Sequence, residues 1–466
     1  MIPKPVKIVA TIGPATHSKE KIYELASAGV NVFRINLSHA YPEEVADRVA
    51  WIREAEEALD RPLAIMGDLP GPKIRIGDME PDVVLEKGQL FTISKTIEKG
   101  NKEACGLNHP SIVDVLEKDA EVFIDDGTIK LVIEEKHEDH VVTKVVVGGL
   151  LKPKKGFSAE GISLSTTGVS EKDKTCIELM VQHHADAIAI SFVQKKEDVV
   201  AVRDLLPEDS NIMLIAKIET VGGVEAAKEI LSVSDGMMVA RGDLGLAVPI
   251  AKVPHIQKEL ISLCVREAKP VITATQMLES MISKPIPTRA EVTDVANAIL
   301  DRTDAVMLSA ETAEGKFPVE TVETMVKIIN EAAKRVEVYE YRERKSTGNA
   351  ISDEVGNIAD SVGAKVIVTL TQSGVTARRV SRHRHQKPII ALTPDKTTWR
   401  RLAFVWGVHP YQIDQTRGFD NMLDQARELA LKNSIDPLEK GDLYVISAGL
   451  PFGRSGSTNM ILVQKI

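Results

Sequence analysis

Cysteine, long apolar runs and excess basic charge are scarce in this sequence, and each absence excludes a class of protein. Only three of the 466 residues are cysteines (Cys105, Cys176 and Cys264), and they lie far apart without C-x-x-C spacing, which argues against a disulfide framework or a zinc site. No segment is long and apolar enough for a transmembrane helix, and residues 1–13 lack the apolar core of a signal peptide. The formal net charge of −9 is unfavourable for a nucleic-acid-binding face. We therefore expect a cytoplasmic protein with neither membrane nor nucleic acid as a partner.

The chain is longer than a single hydrophobic core supports, so the sequence predicts several domains. Eight short runs rich in Val, Ile and Ala end in polar residues or glycine, as is typical of strands buried on both faces. These runs cover residues 7–12, 30–37, 63–68, 187–192, 212–218, 236–240, 270–275 and 304–308. Amphipathic segments of helical period follow most of them. Eight such units predict a (β/α)8 barrel, and the alternative is an open doubly wound sheet, which rarely needs so many repeats.

Two further segments depart from this β-then-α rhythm. After Asp68, alternating apolar and polar residues with Gly and Asp-Gly turns predict an all-β insertion, a small capping barrel that covers residues 71–154. A charged stretch near residue 338 predicts a linker, and residues 338–466 then predict a separate α/β domain. The barrel is accordingly assigned to residues 1–70 and 155–337.

Polar residues at the ends of the predicted strands suggest a phosphoryl-transfer site. In a barrel the carboxyl ends of the strands meet at one mouth. Arg34, Asp68, Lys217, Glu219 and Asp243 all fall there, although a strand-end Asp taken alone is more often a helix cap. Cations suit transferring phosphoryl oxygens, and carboxylates suit Mg²⁺.

Glu219 and Asp243 are the best candidate metal ligands, because they follow adjacent strands and Mg²⁺ prefers one or two carboxylates plus water and substrate oxygens. The alternative is that each carboxylate forms a salt bridge, with Lys217 or with Arg241. Gly242 would let the backbone approach a ligand closely.

Several segments, in order along the chain, resemble the signature segments of pyruvate kinases. They are VKIVATIGP at 6–14, RINLSH at 34–39, KIE at 217–219, MVARGDLG at 238–245, ATQMLESM at 274–281 and MLSAET at 307–312. The resemblance implies transfer of the phosphoryl group of phosphoenolpyruvate to ADP, with Mg²⁺ or Mn²⁺ as cofactor. It further implies a homotetramer and a third-strand insertion that closes as a lid over the substrate.

The same resemblance implies roles for individual residues. Glu219 and Asp243 would hold the divalent cation, and Lys217 would neutralise charge on the phosphoryl group and the enolate. Thr275 would relay the proton that completes the pyruvate methyl group, since a threonine hydroxyl is a poor acid by itself. The remaining implied groups are the phosphate-binding Arg34 and Arg75, the backbone amides of Ala240, Arg241, Gly242 and Asp243 for the substrate carboxylate, and Thr11, Pro14 and His39 for nucleotide. His39 has the alternative of a structural histidine.

Asn36, Ser38 and Asp68 would form a corner for a monovalent cation, but the neighbouring segment departs from the family pattern. Many members have Thr where Leu69 stands and Glu where Lys73 stands. Because a lysine ammonium is a compact fixed charge, Lys73 is a candidate substitute for K⁺, which predicts that K⁺ is not required. The alternative is that Lys73 points to solvent.

The C-terminal domain resembles the regulatory domain of the family and carries a candidate anion site at the start of a helix. We expect a phosphorylated effector to bind Thr371, Gln372, Ser373, Gly374 and Thr376. The alternative is an ordinary capped helix. Two rival functions for the whole chain are a carbon–carbon lyase that acts on phosphoenolpyruvate or pyruvate, and a catalytically silent metabolite sensor.

Overall fold

The computed structural model describes residues 4–38, 41–125, 127–160, 169–339, 346–415, 418–433, 438–450 and 458–466. Its first strands and helices follow the predicted pattern closely. Ser18 caps the first helix by accepting a hydrogen bond from the amide of Lys21, as a helix-starting serine should. The elements are β1 (Lys7–Ile12), α1 (Lys19–Ala28), β2 (Val32–Asn36), α2 (Pro42–Leu59) and β3 (Ala64–Asp68).

The insertion after β3 is an all-β lid with its own apolar core, in which Phe91, Leu131 and Val141 are fully buried. Its elements are β4 (Asp78–Met79), β5 (Val84–Leu85), β6 (Leu90–Ser94), β7 (Lys99–Gly100), β8 (Ala104–Gly106), the short helix α3 (Ile112–Val115), β9 (Glu121–Ile124), β10 (Ile129–Lys136), β11 (His140–Val147), β12 (Gly149–Leu150) and β13 (Phe157–Ala159).

The lid strands form a six-stranded sheet in the order β13-β9-β10-β11-β6-β8, with two small two-stranded sheets beside it. The sequence favoured a small closed barrel, but within the described residues no ladder joins β13 to β8. In addition, β13 pairs with β9 although it follows residue 154, the predicted end of the lid.

The chain then returns to complete the barrel. Its strands are β14 (Ala187–Ile190), β15 (Met213–Ile218), β16 (Gly236–Ala240), β17 (Val271–Ala274) and β18 (Ala305–Leu308). The helices of this half are α4 (Glu171–Gln182), α5 (Lys196–Arg203), α6 (Val221–Glu225), α7 (Ala227–Val233), α8 (Arg241–Ala247), α9 (Val253–Arg266), α10 (Arg289–Leu300), α11 (Ala310–Ala313) and α12 (Pro318–Ala332).

The eight long strands close into a parallel barrel in the order β1-β18-β17-β16-β15-β14-β3-β2. The pairing of β18 with β1 confirms the predicted barrel and excludes the open sheet. All eight predicted strands are present, most of them one or two residues shorter than predicted.

The C-terminal α/β domain has a five-stranded sheet in the order β21-β20-β19-β22-β23, in which only β23 is antiparallel to its neighbour. Its elements are α13 (Thr347–Ser361), β19 (Val366–Leu370), α14 (Val375–Ser381), β20 (Ile389–Thr393), α15 (Lys396–Arg401), β21 (Val408–Gln412), α16 (Phe419–Asn433), β22 (Leu443–Gly449) and β23 (Thr458–Lys465). Short 3-10 turns occur at Pro14–Thr16, Ile250–Lys252, Glu279–Ile282, Ala333–Arg335 and Leu402–Phe404.

The C-terminal domain closes one end of the barrel. Phe404 belongs to the same apolar cluster as Val9 and Ile215, which line the barrel interior, and it is fully buried. Beside it, the buried guanidinium of Arg384 donates to the Asp304 carboxylate at 2.8 Å. We call this end, where the strands begin, the floor, and the opposite end the mouth. No helix within the described ranges is long and apolar enough to cross a bilayer.

Candidate active site at the barrel mouth

Lys217, in β15, lies at the centre of the charged groups of the mouth. Its Nζ atom is 3.1 Å from Oδ1 of Asp68, 2.9 Å from Oε1 of Glu219 and 2.7 Å from Oγ of Ser191. Burial alone would lower the pKa of Lys217, but the two carboxylates outweigh burial and raise it. The ammonium group therefore stays charged at any physiological pH.

Asp68 ends β3 and is held between two cations. Arg34 Nε lies 2.6 Å from Oδ2 of Asp68, and Arg34 also donates to Oγ1 of Thr11 at 3.0 Å. Burial would raise the pKa of Asp68, yet Arg34 and Lys217 lower it. Asp68 is consequently a carboxylate whose two oxygens are both already paired.

Glu219 has one engaged and one available carboxylate oxygen. Oε2 accepts the amide hydrogen of Phe192 at 2.8 Å. Oε1 is buried without a well-directed hydrogen bond in the described residues, although Lys217 Nζ lies within ion-pair distance. Burial raises the pKa of Glu219, and the nearby Asp243 carboxylate raises it further, against the opposing effect of Lys217.

A buried oxygen without a well-directed donor, next to a second carboxylate, fits a divalent cation. The alternative was that the two carboxylates form salt bridges with Lys217 or Arg241. Glu219 does form an ion pair with Lys217, but Arg241 pairs with Asp294 at 2.8 Å. No group of three or more His, Cys, Asp or Glu side chains suited to a metal occurs in the described residues. A metal at this mouth would thus rely on few protein ligands and on substrate or water for the others.

Thr275 follows β17 in an unusual backbone conformation. Its φ angle is +67°, and that of Gln276 is +54°, both in the left-handed region that non-glycine residues rarely adopt. The Thr275 hydroxyl accepts the amide hydrogen of Gly242 at 2.8 Å and donates to the carbonyl of Ala274 at 2.7 Å. The Gly242 amide, predicted to bind a substrate carboxylate, is therefore engaged by Thr275 in this structure.

A cavity of about 280 Å³ separates the mouth from the lid, and its walls carry charges of both signs. Arg75 lies in its wall and donates to the carbonyl of Lys154 at 2.8 Å. The cavity is lined by Lys73, Ile74, Arg75, Ile112, Asp125, Lys155, Gly156, Phe157, Ser158, Ala159, Phe192, Glu219, Thr220, Asp243, Leu246 and Ala247. The predicted metal pair and a predicted phosphate ligand thus face one space.

Lys73 is exposed and lines the same cavity. Asn36 and Ser38 are joined to each other, since the Ser38 amide donates to Oδ1 of Asn36 at 3.1 Å. In the part of the chain that the structure describes, Lys73 makes no ion pair with Asp68, whose cationic partners are Arg34 and Lys217. Lys73 as a substitute for K⁺ therefore stays a prediction, as does its alternative of a side chain that points to solvent.

The three predicted nucleotide residues have different surroundings. Thr11 is buried, and its hydroxyl donates to the carbonyl of Leu308 at 3.0 Å. Pro14 is exposed at the start of a 3-10 turn. His39 lies outside the described residues.

The predicted effector loop connects β19 to α14. Gly374 has a φ angle of +78° and precedes the helix, and the carbonyl of Gln372 accepts the Thr398 hydroxyl at 2.9 Å. The Thr376 and Thr458 hydroxyls lie 2.6 Å apart. Thr371 is buried, and its amide donates to the carbonyl of Leu392, while Ser373 also has a partner.

Arg378 of α14 and Arg382, which follows this helix, line a small cavity beside the barrel. Lys269 and Asp304 of the barrel line the same cavity, and Arg382 forms a buried ion pair with Asp353. Residues 451–457 lie outside the described residues.

Sequence reasoning missed three residues that hold this site together. Ser191 binds the Lys217 ammonium, Phe192 supplies an amide to Glu219, and Asp294 binds Arg241. A signal existed for Ser191, because it is the polar residue directly after an apolar strand, the position already used to find Asp68. Nothing in the sequence pattern pointed to Asp294, which lies on the helix α10.

Comparison with known proteins places these features in a family. The family model described as "Pyruvate kinase, barrel domain" matches residues 3–322, and "Pyruvate kinase, alpha/beta domain" matches residues 349–464. A protein named pyruvate kinase from Geobacillus stearothermophilus is 43% identical over 99% of this chain and 80% of its own length. Pyruvate kinases of Clostridium acetobutylicum and Thermotoga maritima are 39% and 41% identical, each over 99% of both chains. The chain belongs to the pyruvate kinase family of phosphotransferases.

Proposed function

We propose that this chain transfers the phosphoryl group of phosphoenolpyruvate to ADP, giving pyruvate and ATP, as the last step of glycolysis in the cytoplasm. The observation that carries the proposal is the cavity between mouth and lid, because Glu219, Asp243 and Arg75 all line it. Phosphoryl transfer needs carboxylates that hold a metal ion and a cation that binds phosphoryl oxygens, and both kinds of group line this cavity. Membership of the family supports the same reaction.

Members of this family generally use a divalent metal, and Glu219 and Asp243 would hold it here. Mg²⁺ or Mn²⁺ at this position supplies positive charge that stabilises the phosphoryl and enolate oxygens when bound. The buried Oε1 of Glu219, which lacks a directed hydrogen bond in the described residues, supports the assignment.

Lys217 and Arg34 supply fixed positive charge beside the metal carboxylates, since Lys217 contacts Glu219 and both cations contact Asp68. Since the pKa of Lys217 is raised, its ammonium remains protonated while negative charge moves from the phosphoryl group onto the enolate oxygen. Arg34 is anchored by Asp68, which fixes the direction of its guanidinium, and Arg75 reaches the cavity from the lid side. The lid excludes water that would otherwise accept the phosphoryl group.

Thr275 serves the second half of the reaction, in which the enolate gains a proton on its methylene carbon. Its hydroxyl is held between the Ala274 carbonyl and the Gly242 amide, so its hydrogen must turn from that carbonyl to the enolate before it is passed on and replaced from water. Thr275→Val should lower the rate of pyruvate formation about a hundredfold while the KM for phosphoenolpyruvate changes little. A large rise in KM with unchanged kcat would instead identify Thr275 as a binding residue.

The nucleotide would bind beside Thr11, Pro14 and His39, with Asn36, Ser38 and Asp68 as the neighbouring cation corner. Pro14 is exposed at the mouth side of β1, which leaves room for a base or a ribose. The decisive assay is release of pyruvate from phosphoenolpyruvate in the presence of ADP, with and without Mg²⁺. Pyruvate release that needs both ADP and Mg²⁺ supports the proposal, whereas release without ADP would favour a lyase, and no release would favour a sensor.

The C-terminal domain would bind a phosphorylated effector at Thr371, Gln372, Ser373, Gly374 and Thr376, in a homotetramer. The Thr376 hydroxyl, on the first turn of α14, contacts the Thr458 hydroxyl at the start of β23, so the loop and the end of the chain meet at this site. Thr371→Ala with Ser373→Ala should remove any activation by phosphorylated metabolites and leave the basal rate within about twofold. Activation that survives this double substitution would move the effector site elsewhere.

A further inference from the structure

The Arg241 side chain is turned onto the backbone that follows β17. Its Nη2 atom donates to the carbonyl of Thr275 at 2.7 Å and to that of Gln276 at 3.3 Å. Its Nε atom donates to the carbonyl of Ala274 at 3.4 Å. One guanidinium thus donates hydrogen bonds to three consecutive backbone carbonyls, which its planar set of N–H donors allows.

The other side of the guanidinium is anchored in the helical layer. Nη1 donates to Oδ1 of Asp294 on α10 at 2.8 Å and lies 3.4 Å from Oε1 of Gln257 on α9. The Arg241 side chain is 10% exposed and that of Asp294 is 40% exposed, so the guanidinium is largely buried while its carboxylate partner faces solvent. The anchor fixes the guanidinium while its remaining donors hold the turn.

The turn that Arg241 holds is strained. Thr275 and Gln276 both have positive φ angles, and Thr275 is β-branched, which makes the left-handed region less favourable still. Such conformations persist when the surrounding structure holds them in place. Thr275 is half-buried and its hydroxyl lies beside Gly242, whereas the Gln276 side chain is exposed, so of these two residues it is Thr275 that the turn places at the mouth.

We infer that Arg241 is a positioning residue for protonation: its guanidinium holds the left-handed Thr275–Gln276 turn and thereby keeps the Thr275 hydroxyl at the mouth, beside Gly242. This inference rests on the proposed function. In the step concerned, the electron pair of the enolate carbon–carbon double bond forms the new C–H bond with a proton passed from the Thr275 hydroxyl. The enolate oxygen becomes the ketone oxygen of pyruvate, and a proton from water restores the hydroxyl.

The test separates phosphoryl transfer from protonation in a single turnover of the Mg²⁺-loaded enzyme with phosphoenolpyruvate and ADP. In Arg241→Ala, ATP should form at close to the normal rate, while the ketone form of pyruvate appears about tenfold to a hundredfold more slowly. Asp294→Asn, which keeps the shape of the anchor, should shift the ratio of the two rates in the same direction by a smaller factor. Equal slowing of ATP and pyruvate in both variants would overturn the inference.

A second arm asks whether Arg241 acts through the backbone of the turn. Glycine adopts positive φ without strain, so adding Gln276→Gly to Arg241→Ala should restore pyruvate formation by about tenfold. Gln276→Gly alone should behave like the unmodified enzyme. If the double variant is no faster than Arg241→Ala, the guanidinium does not act by holding this turn.

Arg203→Ala is the matched control. Arg203 also joins a carboxylate and a backbone carbonyl, those of Asp235 and Val233, and it lies on α5, outside the cavity wall. This variant should leave the ratio of ATP to pyruvate formation unchanged, and a change as large as that of Arg241→Ala would overturn the inference. An unmodified enzyme that forms neither product would contradict the proposed function itself, which is a different result from any of these.

Discussion

The two ends of the barrel each bury a strand lysine, and their surroundings drive the two pKa values in opposite directions. At the mouth, the Asp68 and Glu219 carboxylates overcome burial and raise the pKa of Lys217. At the floor, Lys7 Nζ donates to the carbonyl of Val408, and burial together with Arg61 lowers its pKa to about 7, with Asp304 opposing. The same side chain is therefore locked in its charged form where the chemistry occurs and only partly charged where the domains meet.

Other basic groups at the floor also have pKa values lowered by burial. Burial, followed by the charges of Lys7 and Arg61, lowers the pKa of Lys4, and burial lowers that of Arg61 to about 10. Burial, with the nearby Lys7 and Lys4, lowers the pKa of His409 to about 3, so its imidazole is neutral. Burial therefore disfavours the charged forms of Lys4, Lys7 and His409 at the floor, whereas neighbouring groups of opposite sign stabilise the charges of Lys217 and Asp68 at the mouth. The comparison can be tested by substitution at either end.

The largest effect is expected from the metal carboxylates of the mouth. Glu219→Gln and Asp243→Asn each remove a charged ligand from an ion that has few protein ligands, so turnover should fall about a thousandfold or more while the fold is retained. Steady-state kinetics over a range of Mg²⁺ concentrations, with circular dichroism for the fold, would measure this. Glu259→Gln, on the exposed face of α9, is the control. Near-normal activity of either variant at ordinary Mg²⁺ would refute the metal assignment.

Removing the mouth lysine should impair both activity and stability. Lys217→Met leaves Asp68 with Arg34 alone and leaves Glu219 without a cation, so we expect a loss of about 3 to 5 kcal/mol in the free energy of unfolding. The rate of phosphoryl transfer should fall about a hundredfold or more. Thermal unfolding and initial-rate assays would measure the two effects. A variant with an unchanged melting temperature would show that the carboxylates do not need the ammonium.

The corresponding change at the floor should have the opposite sign. Between pH 7, near the folded pKa of Lys7, and about pH 10, near its unfolded value, the unfolded chain binds a proton that the folded chain lacks. Stability therefore rises with pH across this window. Lys7→Met should stabilise the protein by about 1 to 4 kcal/mol at pH 7, and the gain should shrink towards pH 10. Lys7→Arg, which stays charged, is the control and should not stabilise. A Lys7→Met variant less stable at pH 7 would contradict the comparison.

The smallest effect is expected from monovalent cations. Both oxygens of Asp68 are paired with protein cations, and Lys73 adds a further positive charge to the cavity. We predict nearly full activity without Na⁺ or K⁺, at an ionic strength kept constant with a tetraalkylammonium salt. Lys73→Glu combined with Leu69→Thr should introduce a dependence on K⁺. Strong activation of the unmodified enzyme by K⁺ would show that the charges of the mouth are incomplete without it.

The barrel could be predicted from the sequence because its strands are buried on both faces, which makes each a continuous apolar run. β21 and β23 were not predicted, because exposed polar residues break the apolar run in each of them. Pro410 also lies within β21. The charged residues of the mouth could be predicted from their position at strand ends.

Side-chain direction could not be predicted in the same way. Arg241 was expected to contribute its backbone amide to substrate binding, but the direction of its side chain depends on Asp294, which lies 53 residues further along the chain. The positive φ angles of Thr275 and Gln276 also have no sequence signal, because neither residue is a glycine. Such features depend on long-range contacts that a local pattern does not contain.

The position of Phe404 bears on whether the barrel and the C-terminal domain can fold separately. Since its ring belongs to the apolar cluster inside the barrel, the two domains share part of one core. A fragment that ends at the linker would leave an open apolar hole at the base of the strands, and we expect it to aggregate. Heating should accordingly melt barrel and C-terminal domain in one cooperative transition. A ligand that shifts the C-terminal domain would also move Phe404 at the floor of the barrel. The opposite ends of the same strands carry the catalytic groups.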